Sequence, residues 1–282
     1  MDANEVAQVE QVEQTEHQEF MEKYSETEGT EEIRINGDFK TFFKATRILS
    51  EVPFTVKDGT LKVFGVSEDK IMAVSFKMPV TATGDIEKIG FSGSHVQRLS
   101  KFTIHGIRIK DGKAYITGYH KGNSIHFRVP LIQPALYEDI EKLLSNETWE
   151  FEYGDIDVQK LYKMLSAVKG DSIAFVESRG LWAVIMSVED ATAIRIIDPD
   201  VTSEDRGFIA CYDYKLLMRA LSNLAKTVKG QVSATALYFM GINKPIRLGA
   251  DINNAQVDYM IAPRIVEEGE EEAYIDIVKA FI

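Results

Sequence analysis

One amphipathic pattern occurs four times in this 282-residue chain and limits the folds open to it. In residues 213–227, DYKLLMRALSNLAKT, the positions Leu216, Leu217, Ala220, Leu221 and Leu224 recur at three- and four-residue steps, which predicts a helix with one apolar face. Lys215, Arg219, Ser222 and Lys226 fall on the opposite face. That face carries three cations and no acid, so it lacks the partners of an ordinary salt-bridged surface helix. Asp213 stands where an N-cap accepts the first free amides.

Three other stretches repeat the arrangement. Over 39–52 the pattern turns Phe39, Phe42, Phe43 and Leu49 inward and Lys40, Lys44 and Arg47 outward, with Asp38 as cap and Pro53 as stop. From Ser94 through Phe102, a short helix puts Val96 and Leu99 inward and Arg98 and Lys101 outward. Over 157–168 the inward set is Val158, Leu161, Tyr162, Leu165 and Val168, and the outward set is Lys160 and Lys163; Asp155 and Asp157 read as capping acids. The helix starts near 38, 94, 157 and 213 are 56, 63 and 56 residues apart. A fixed period of this kind marks an internally repeated architecture.

Short alternating segments surround each helix. FTVKDGTLKVFGV and TIHGIRIKDGKAYITGY are hairpins with Asp-Gly turns at Asp58-Gly59 and Asp111-Gly112. KIMAVSFKMPV, NSIHFRVP, SIAFVESRGLWAVIMSV, ATAIRIID, GFIACY, QVSATALYFMG, IRLGADI and VDYMIAP read as further strands. The fold class is therefore α+β: four strand–helix–strand–strand units, two in a domain spanning 33–130 and two in a domain spanning 148–265. Between them, 131–147 begins at Pro130 and Pro134 and shows helical spacing in Leu136, Ile140, Leu143 and Leu144; it reads as an interdomain connector.

Charge is unevenly placed. The net charge is −12, but residues 1–32 contribute −10 and residues 266–282 contribute −5, leaving +3 for 33–265. Residues 1–32 have the composition of an acidic disordered tail. The C-terminal 17 residues are acidic too, yet they end in an apolar group, Tyr274, Ile275, Ile277, Val278, Phe281 and Ile282. That group either covers a binding site or binds another protein, or packs as a terminal strand or helix on its own domain.

Catalysis finds little support. His17, His95, His105, His120 and His126 show no metal-ligand spacing with the single cysteine, Cys211. No phosphate-binding glycine loop or nucleophile motif is present. No cofactor or metal site and no catalytic residue is expected, and the chain reads as not an enzyme. One cysteine excludes an internal disulfide and suits a reducing, intracellular setting. No apolar run reaches a membrane span of ~18 residues, and the N-terminus lacks a secretory pattern.

Helices that bury one face on a sheet and align basic faces on the other side suit phosphate contact without base reading. The chain resembles a DNA sliding clamp of the PCNA type. The resemblance is carried by VDYMIAPRIVEEGEEE (257–272), where Met260, Ala262, Pro263, Arg264 and Ile265 hold the places of the family's terminal Ala-Pro-Lys/Arg-Ile motif before an acidic tail, and by the repeat order from Ile33 to Glu272. It implies two similar sliding-clamp domains assembling head to tail as a homotrimer into a pseudo-sixfold ring around duplex DNA. It also implies a processivity factor acting on DNA without regard to sequence. The implied partners are DNA polymerase, a clamp loader ATPase, and other replication and repair enzymes that dock through short peptide motifs.

Carried over by position, the DNA-facing set is Lys40, Lys44, Arg47, Arg98, Lys101, Lys160, Lys163, Lys215, Arg219 and Lys226. The partner pocket implied by the resemblance is Val66, Ile71, Ala73, Pro245, Met260, Ala262, Pro263 and Ile265. The short, partly helical connector departs from the family, as does the apolar end. Subunit edges are expected near 124–129 and 181–186. The alternatives are a clamp-fold processivity factor of the viral kind acting as a monomer or dimer, and a non-DNA scaffold on the same repeat.

Overall fold

A computed structural model describes residues 32–135, 137–146, 150–154, 156–197, 208–231 and 233–282. The expected N-terminal acidic tail lies, apart from Glu32, outside the described residues, as do Leu136 and Asp155. Contacts divide the chain into two compact units. One ends at Glu68 and resumes over Val74–Tyr137; the other combines Asp69–Ala73 with Glu138–Ile282.

The first unit holds β1 (Ile33–Asn36), α1 (Phe39–Thr46), β2 (Glu51–Lys57), β3 (Thr60–Val66), β4 (Met72–Pro79), β5 (Thr81–Ala82), β6 (Ile86–Ser92), α2 (Gly93–Leu99), β7 (Thr103–Lys110), β8 (Lys113–His120) and β9 (Asn123–Pro130). One sheet runs β5-β1-β7-β8-β9, and the other strands follow the order β6-β2-β3-β4. The α1 aromatic residues make the core: Phe42 and Phe43 lie 4.8 Å apart edge to face, Phe42 meets Phe76, and Phe43 meets Phe91, which stacks on Phe54 at 5.2 Å. Asp58-Gly59 and Asp111-Gly112 all have positive φ, the requirement of the tight hairpin turns expected there.

The second unit holds α3 (Glu138–Asn146), β10 (Phe151–Tyr153), α4 (Val158–Ser166), β11 (Ser172–Glu177), β12 (Leu181–Met186), β13 (Ala191–Ile197), β14 (Ile209–Asp213), α5 (Tyr214–Val228), β15 (Ser233–Phe239), β16 (Ile246–Ile252), β17 (Ala255–Ile261) and α6 (Glu270–Lys279). Its strands are ordered β13-β12-β11-β14 and β10-β15-β16-β17. Leu217, Ala220, Leu221 and Leu224 of α5 are buried as the periodicity requires. Asn223 and Thr227 are buried with them, because Asn223 Nδ2 donates to the Tyr259 hydroxyl at 2.7 Å and the Thr227 hydroxyl to the Asn223 carbonyl at 2.8 Å.

Several boundaries differ from expectation. The first helix stops at Thr46, not Val52, and Pro53 lies inside β2 rather than terminating a helix. Val52, Phe54 and Val56 are buried by pairing with β6, and Pro53 sits opposite Gly90 just before a register shift, where a strand tolerates proline. The second helix starts at Gly93 with Ser92 as N-cap. Its first turn is pulled against the preceding segment: Gly93 N donates to Ser50 O at 2.6 Å, and a Cβ at Gly93 would lie 2.2 Å from the Leu49 carbonyl oxygen. Only glycine fits there. Residues 181–186 are not an edge, since β12 pairs with β11 on one side and β13 on the other. That sheet ends at β13 on one side and at β14 on the other, and among the described residues β13 pairs only with β12, whereas β14 also accepts from Asn243 N and Arg264 N.

The acidic C-terminal stretch forms α6, which packs on its own unit. Tyr274 and Val278 are fully buried against Ala174, Val176, Trp182, Val184, Ile209 and Cys211, the face of the β13-β12-β11-β14 sheet whose alternate residues, Ile173, Phe175, Ala183 and Tyr212, point the other way. Of the two readings of the apolar end, packing on its own domain is the one found.

Candidate nucleic-acid interface

Within the first unit α1 packs beside α2, and within the second α4 packs beside α5. Caps fix the helix starts. Asp38 accepts from Thr41 N, Asp157 from Gln159 N and Lys160 N, and Asp213 from Leu216 N. With the apolar faces buried, the helices turn their cations away from the sheets. Lys40, Arg98, Lys101, Lys160, Lys163, Lys215, Arg219 and Lys226 are exposed, and Lys44 and Arg47 are half-buried.

These charges are crowded. Burial, then the like charges of Lys40 and Arg47, hold the Lys44 ammonium below the ordinary lysine range, with Asp38 pulling weakly the other way. A cluster that repels itself is relieved by an anion. The acid-free appearance of α5 needs one correction: Asp171, from the loop before β11, lies 3.5 Å from Lys215 Nζ. Both side chains are well exposed, so the pair adds little. His95 belongs to the helix start, with Nδ1 2.7 Å from Ser92 Oγ.

The pocket residues implied by resemblance are placed unit by unit. Val66 is buried at the end of β3 in the first unit. In the second, Ala262 N donates to Ile71 O at 2.9 Å, and the register Arg247↔Met260 and Ile246↔Ile261 sets Pro245 beside Ala262. Ile71, Pro245, Met260 and Ala262 are thus brought together. Ala73 and Met260 are buried, Pro245, Ala262 and Pro263 are half-buried, and Ile265 is 92% exposed.

Beyond Ala262 the chain is tied down by groups whose pairing was not legible. Arg264 N donates to Cys211 O at 2.8 Å, the Arg264 guanidinium pairs with Glu270, and Asn243 donates to Glu271. The Tyr274 hydroxyl donates to Glu270 at 3.2 Å and lies 2.7 Å from Ser172 Oγ. The first turn of α6 therefore anchors both the 262–265 segment and the loop before β16. The sequence signal was the apolar spacing of Tyr274 and Val278; the contacts of Arg264 and Asn243 had none.

Burial alone would raise the Glu270 carboxyl, but hydrogen bonds from Arg264, the Glu267 backbone and Tyr274 outweigh it and hold the carboxyl below its ordinary 4.5. A carboxyl depressed in the folded state contributes stability that is complete above the unfolded value and lost as pH falls through the folded one. The seating of α6 is therefore expected to be insensitive to pH above about 5 and to loosen below 4.5, read as a change in Trp182 fluorescence. An unchanged emission down to the acid unfolding of the whole unit contradicts this.

Cys211 carries no chemistry of this kind. Burial pushes its thiol up to about 12, and Glu270 and Glu271 add to the shift. Among the described residues no group of three or more His, Cys, Asp or Glu side chains is placed to hold a metal ion. No helix among them is long and apolar enough to cross a membrane.

No family model matches the chain, and no curated protein matches it by sequence. Solved structures match it by shape. The A. fulgidus PCNA bound to the C-terminal region of FEN-1 is similar over 84% of this chain and 99% of its own, with a TM-score of 0.63 at 15% identity. The PCNA2–PCNA3 complex of Sulfolobus tokodaii gives 0.64 at 17% identity over 83% of this chain and 99% of that one. PCNA from Thermococcus kodakaraensis gives 0.62 at 17% identity over 83% and 100%. The repeated strand–helix order and the sheet-backed basic helices accord with that likeness, and the chain has the fold of the PCNA-type sliding clamps.

Proposed function

We propose that the protein is a subunit of a ring-shaped sliding clamp that encircles duplex DNA and tethers DNA polymerase and other replication and repair enzymes, acting inside the cell where the DNA is. It is a non-catalytic scaffold in this reading. The observation that carries it is that eight cations, Lys40, Lys44, Arg98, Lys160, Lys163, Lys215, Arg219 and Lys226, lie on four helices whose apolar faces are buried, with Arg47 and Lys101 just past two of the helix ends, in a chain whose overall charge is −12. Duplex DNA presents about one negative charge per ~1.7 Å of axis, and a basic lining holds phosphates while leaving the protein free to move along them.

Assembly is supported by two strands that, among the described residues, end their sheets. β9 ends one sheet of the first unit and β13 ends one sheet of the second. Two different edges are what head-to-tail closure requires, and identical copies joined this way form a ring of three when the rotation closes. One similar structure holds the C-terminal region of FEN-1, which accords with partners docking through short peptides near Pro245, Ala262, Pro263 and Ile265. Opening such a ring on DNA calls for a loader ATPase.

The test has two steps. The mass in solution is expected to be three times the 31.8-kDa chain. Protein loaded on circular duplex is then expected to remain until a single cut linearises the DNA, and to be lost through the free ends. Equal retention on circular and cut DNA overturns the reading. A monomer or dimer that still stimulates a polymerase identifies a clamp-fold factor of the non-ring kind, and a chain indifferent to DNA identifies a scaffold.

A further inference from the structure

The ring reading leaves α6 without a role, although the helix is placed at a boundary. Its first turn is fixed over β14 by Arg264 and Asn243, its middle lies over β11 and β12, and its end reaches β13. Phe281 sits against Trp182, with ring centroids 6.5 Å apart, and the Arg195 guanidinium of β13 lies over the same indole at 5.7 Å. Phe281 is 66% exposed and Ile282 47% exposed, while Tyr274 and Val278 one and two turns earlier are fully buried. Two large apolar side chains at the rim of an open strand edge form a surface with nothing over it among the described residues.

The other open edge has complementary character. Along β9, alternation sends Phe127 and Val129 inward, where Phe127 meets Phe102, so Ser124, His126 and Arg128 lie on the opposite face. From His120 to Pro130 the hairpin and strand carry Lys121 and Arg128 and no acid. Beside β13 acids are in excess: Glu189 and Asp190 lead into the strand and α6 exposes Glu272 and Asp276, against Arg195 on the strand and Lys279, which pairs with Asp276 at 3.2 Å. α6 covers the face of its sheet that points away from the core packed on Phe175 and Tyr212. When strands pair edge to edge, their like faces become continuous.

We propose that the end of α6 extends the subunit contact: Phe281 and Ile282 pack on the outer face of β9 of a second copy of this chain, over His126 and Arg128. The occupant is a second copy because both sheet ends belong to one chain, because the acidic excess beside β13 faces an acid-free run with Lys121 and Arg128 beside β9, and because the exposed apolar pair stands at the edge that must be joined. Arg128 has the stem to cover Phe281 and the charge to face the acids of α6. The proposal rests on the ring reading but concerns an element outside the strand pairing that the reading needs. It gives the C-terminal helix a task in assembly, not in masking a partner site.

The test is sedimentation of the full chain across a concentration range. The double variant Phe281→Ser/Ile282→Ser is expected to need about tenfold more protein to reach half-assembly, as loss of two partly buried apolar contacts implies. Both side chains are exposed in the free subunit, so the fold is retained, and labelling of the buried Cys211 at the wild-type rate checks that α6 is still seated. Arg128→Glu, on the opposing edge, is expected to weaken assembly to a similar degree, more strongly at low salt than at high. The proposal is overturned if the serine variant assembles at the wild-type concentration. A wild-type chain that stays monomeric at every concentration overturns the ring reading itself, and with it this contact.

Discussion

Tyr274→Ala is expected to release α6 from its sheet and to destabilise the second unit by about 3–5 kcal/mol, the usual cost of deleting a buried aromatic ring. Tyr274 is fully buried, and its hydroxyl joins two otherwise separate polar groups, Ser172 on β11 and Glu270 at the helix start. Removing the ring leaves a cavity beside Ala174, Val184 and Cys211 and leaves Ser172 without that partner. Cys211 is the chain's one cysteine and is fully buried under α6, so its modification by a thiol reagent reports opening of this helix or unfolding of the unit. If α6 opens locally, Tyr274→Ala is expected to speed labelling by about a hundredfold or more, since each ~1.4 kcal/mol is tenfold. Tyr274→Phe keeps the ring and loses the hydroxyl, and is expected to cost about 1–2 kcal/mol. Labelling of Tyr274→Ala at the wild-type rate shows that the helix is not held by this residue.

That result also bears on why the helix exists. The sheet face beneath it presents Ala174, Val176, Trp182, Val184, Ile209 and Cys211. A face of this composition left in water is an aggregation surface, and a strand with one apolar face toward the core and another toward solvent violates the usual alternation of antiparallel sheets. In β11, Ser172–Glu177, every residue is buried, which is the pattern of a strand covered on both sides. The strand therefore carries in its own composition the requirement for a cover, and α6 meets it from the same chain.

The difference between what could and could not be read from the sequence follows from the range of the interactions. The four basic helices were legible because a helix that packs on a sheet writes its period into neighbouring residues, as Leu217, Leu221 and Leu224 do. The Asp-Gly turns were legible because positive φ restricts the residue type at two adjacent positions. Boundaries failed where a long-range pairing overrode a local signal: Pro53 reads as a helix stop but lies opposite Gly90, 37 residues away, in a strand. The edge assignment at 181–186 failed for the same reason, because β12 gains its second neighbour from β13, whose place in the sheet no local pattern states. At the C-terminus the acids suggested a solvated tail. Glu270 and Glu271 are instead spent on Arg264 and Asn243, contacts set by how the chain returns after β17.

Reversing Lys40, Lys44, Lys215 and Arg219 to glutamate together is expected to abolish retention on circular DNA while leaving the chain folded and its assembled mass unchanged. Lys40, Lys215 and Arg219 are exposed, and Lys44 is half-buried under like charge, so none of the four supports the core. Substituting Lys44 even removes a repulsion with Arg47. A residue that contacts phosphate contributes about 0.9 to the slope of log affinity against log salt, so loss of four contacts per chain flattens that slope by up to about 3.6 for each chain on the DNA. The flattening separates an electrostatic lining from a shape effect: a variant that lost binding through a distorted ring would bind less at every salt concentration with the slope preserved. Reversals on α1 and on α5 are expected to combine nearly additively, because the two helices belong to different units and each contributes through its own counterions. One dominant position among the four would instead point to a discrete binding site, and the sliding-clamp reading requires that there be none.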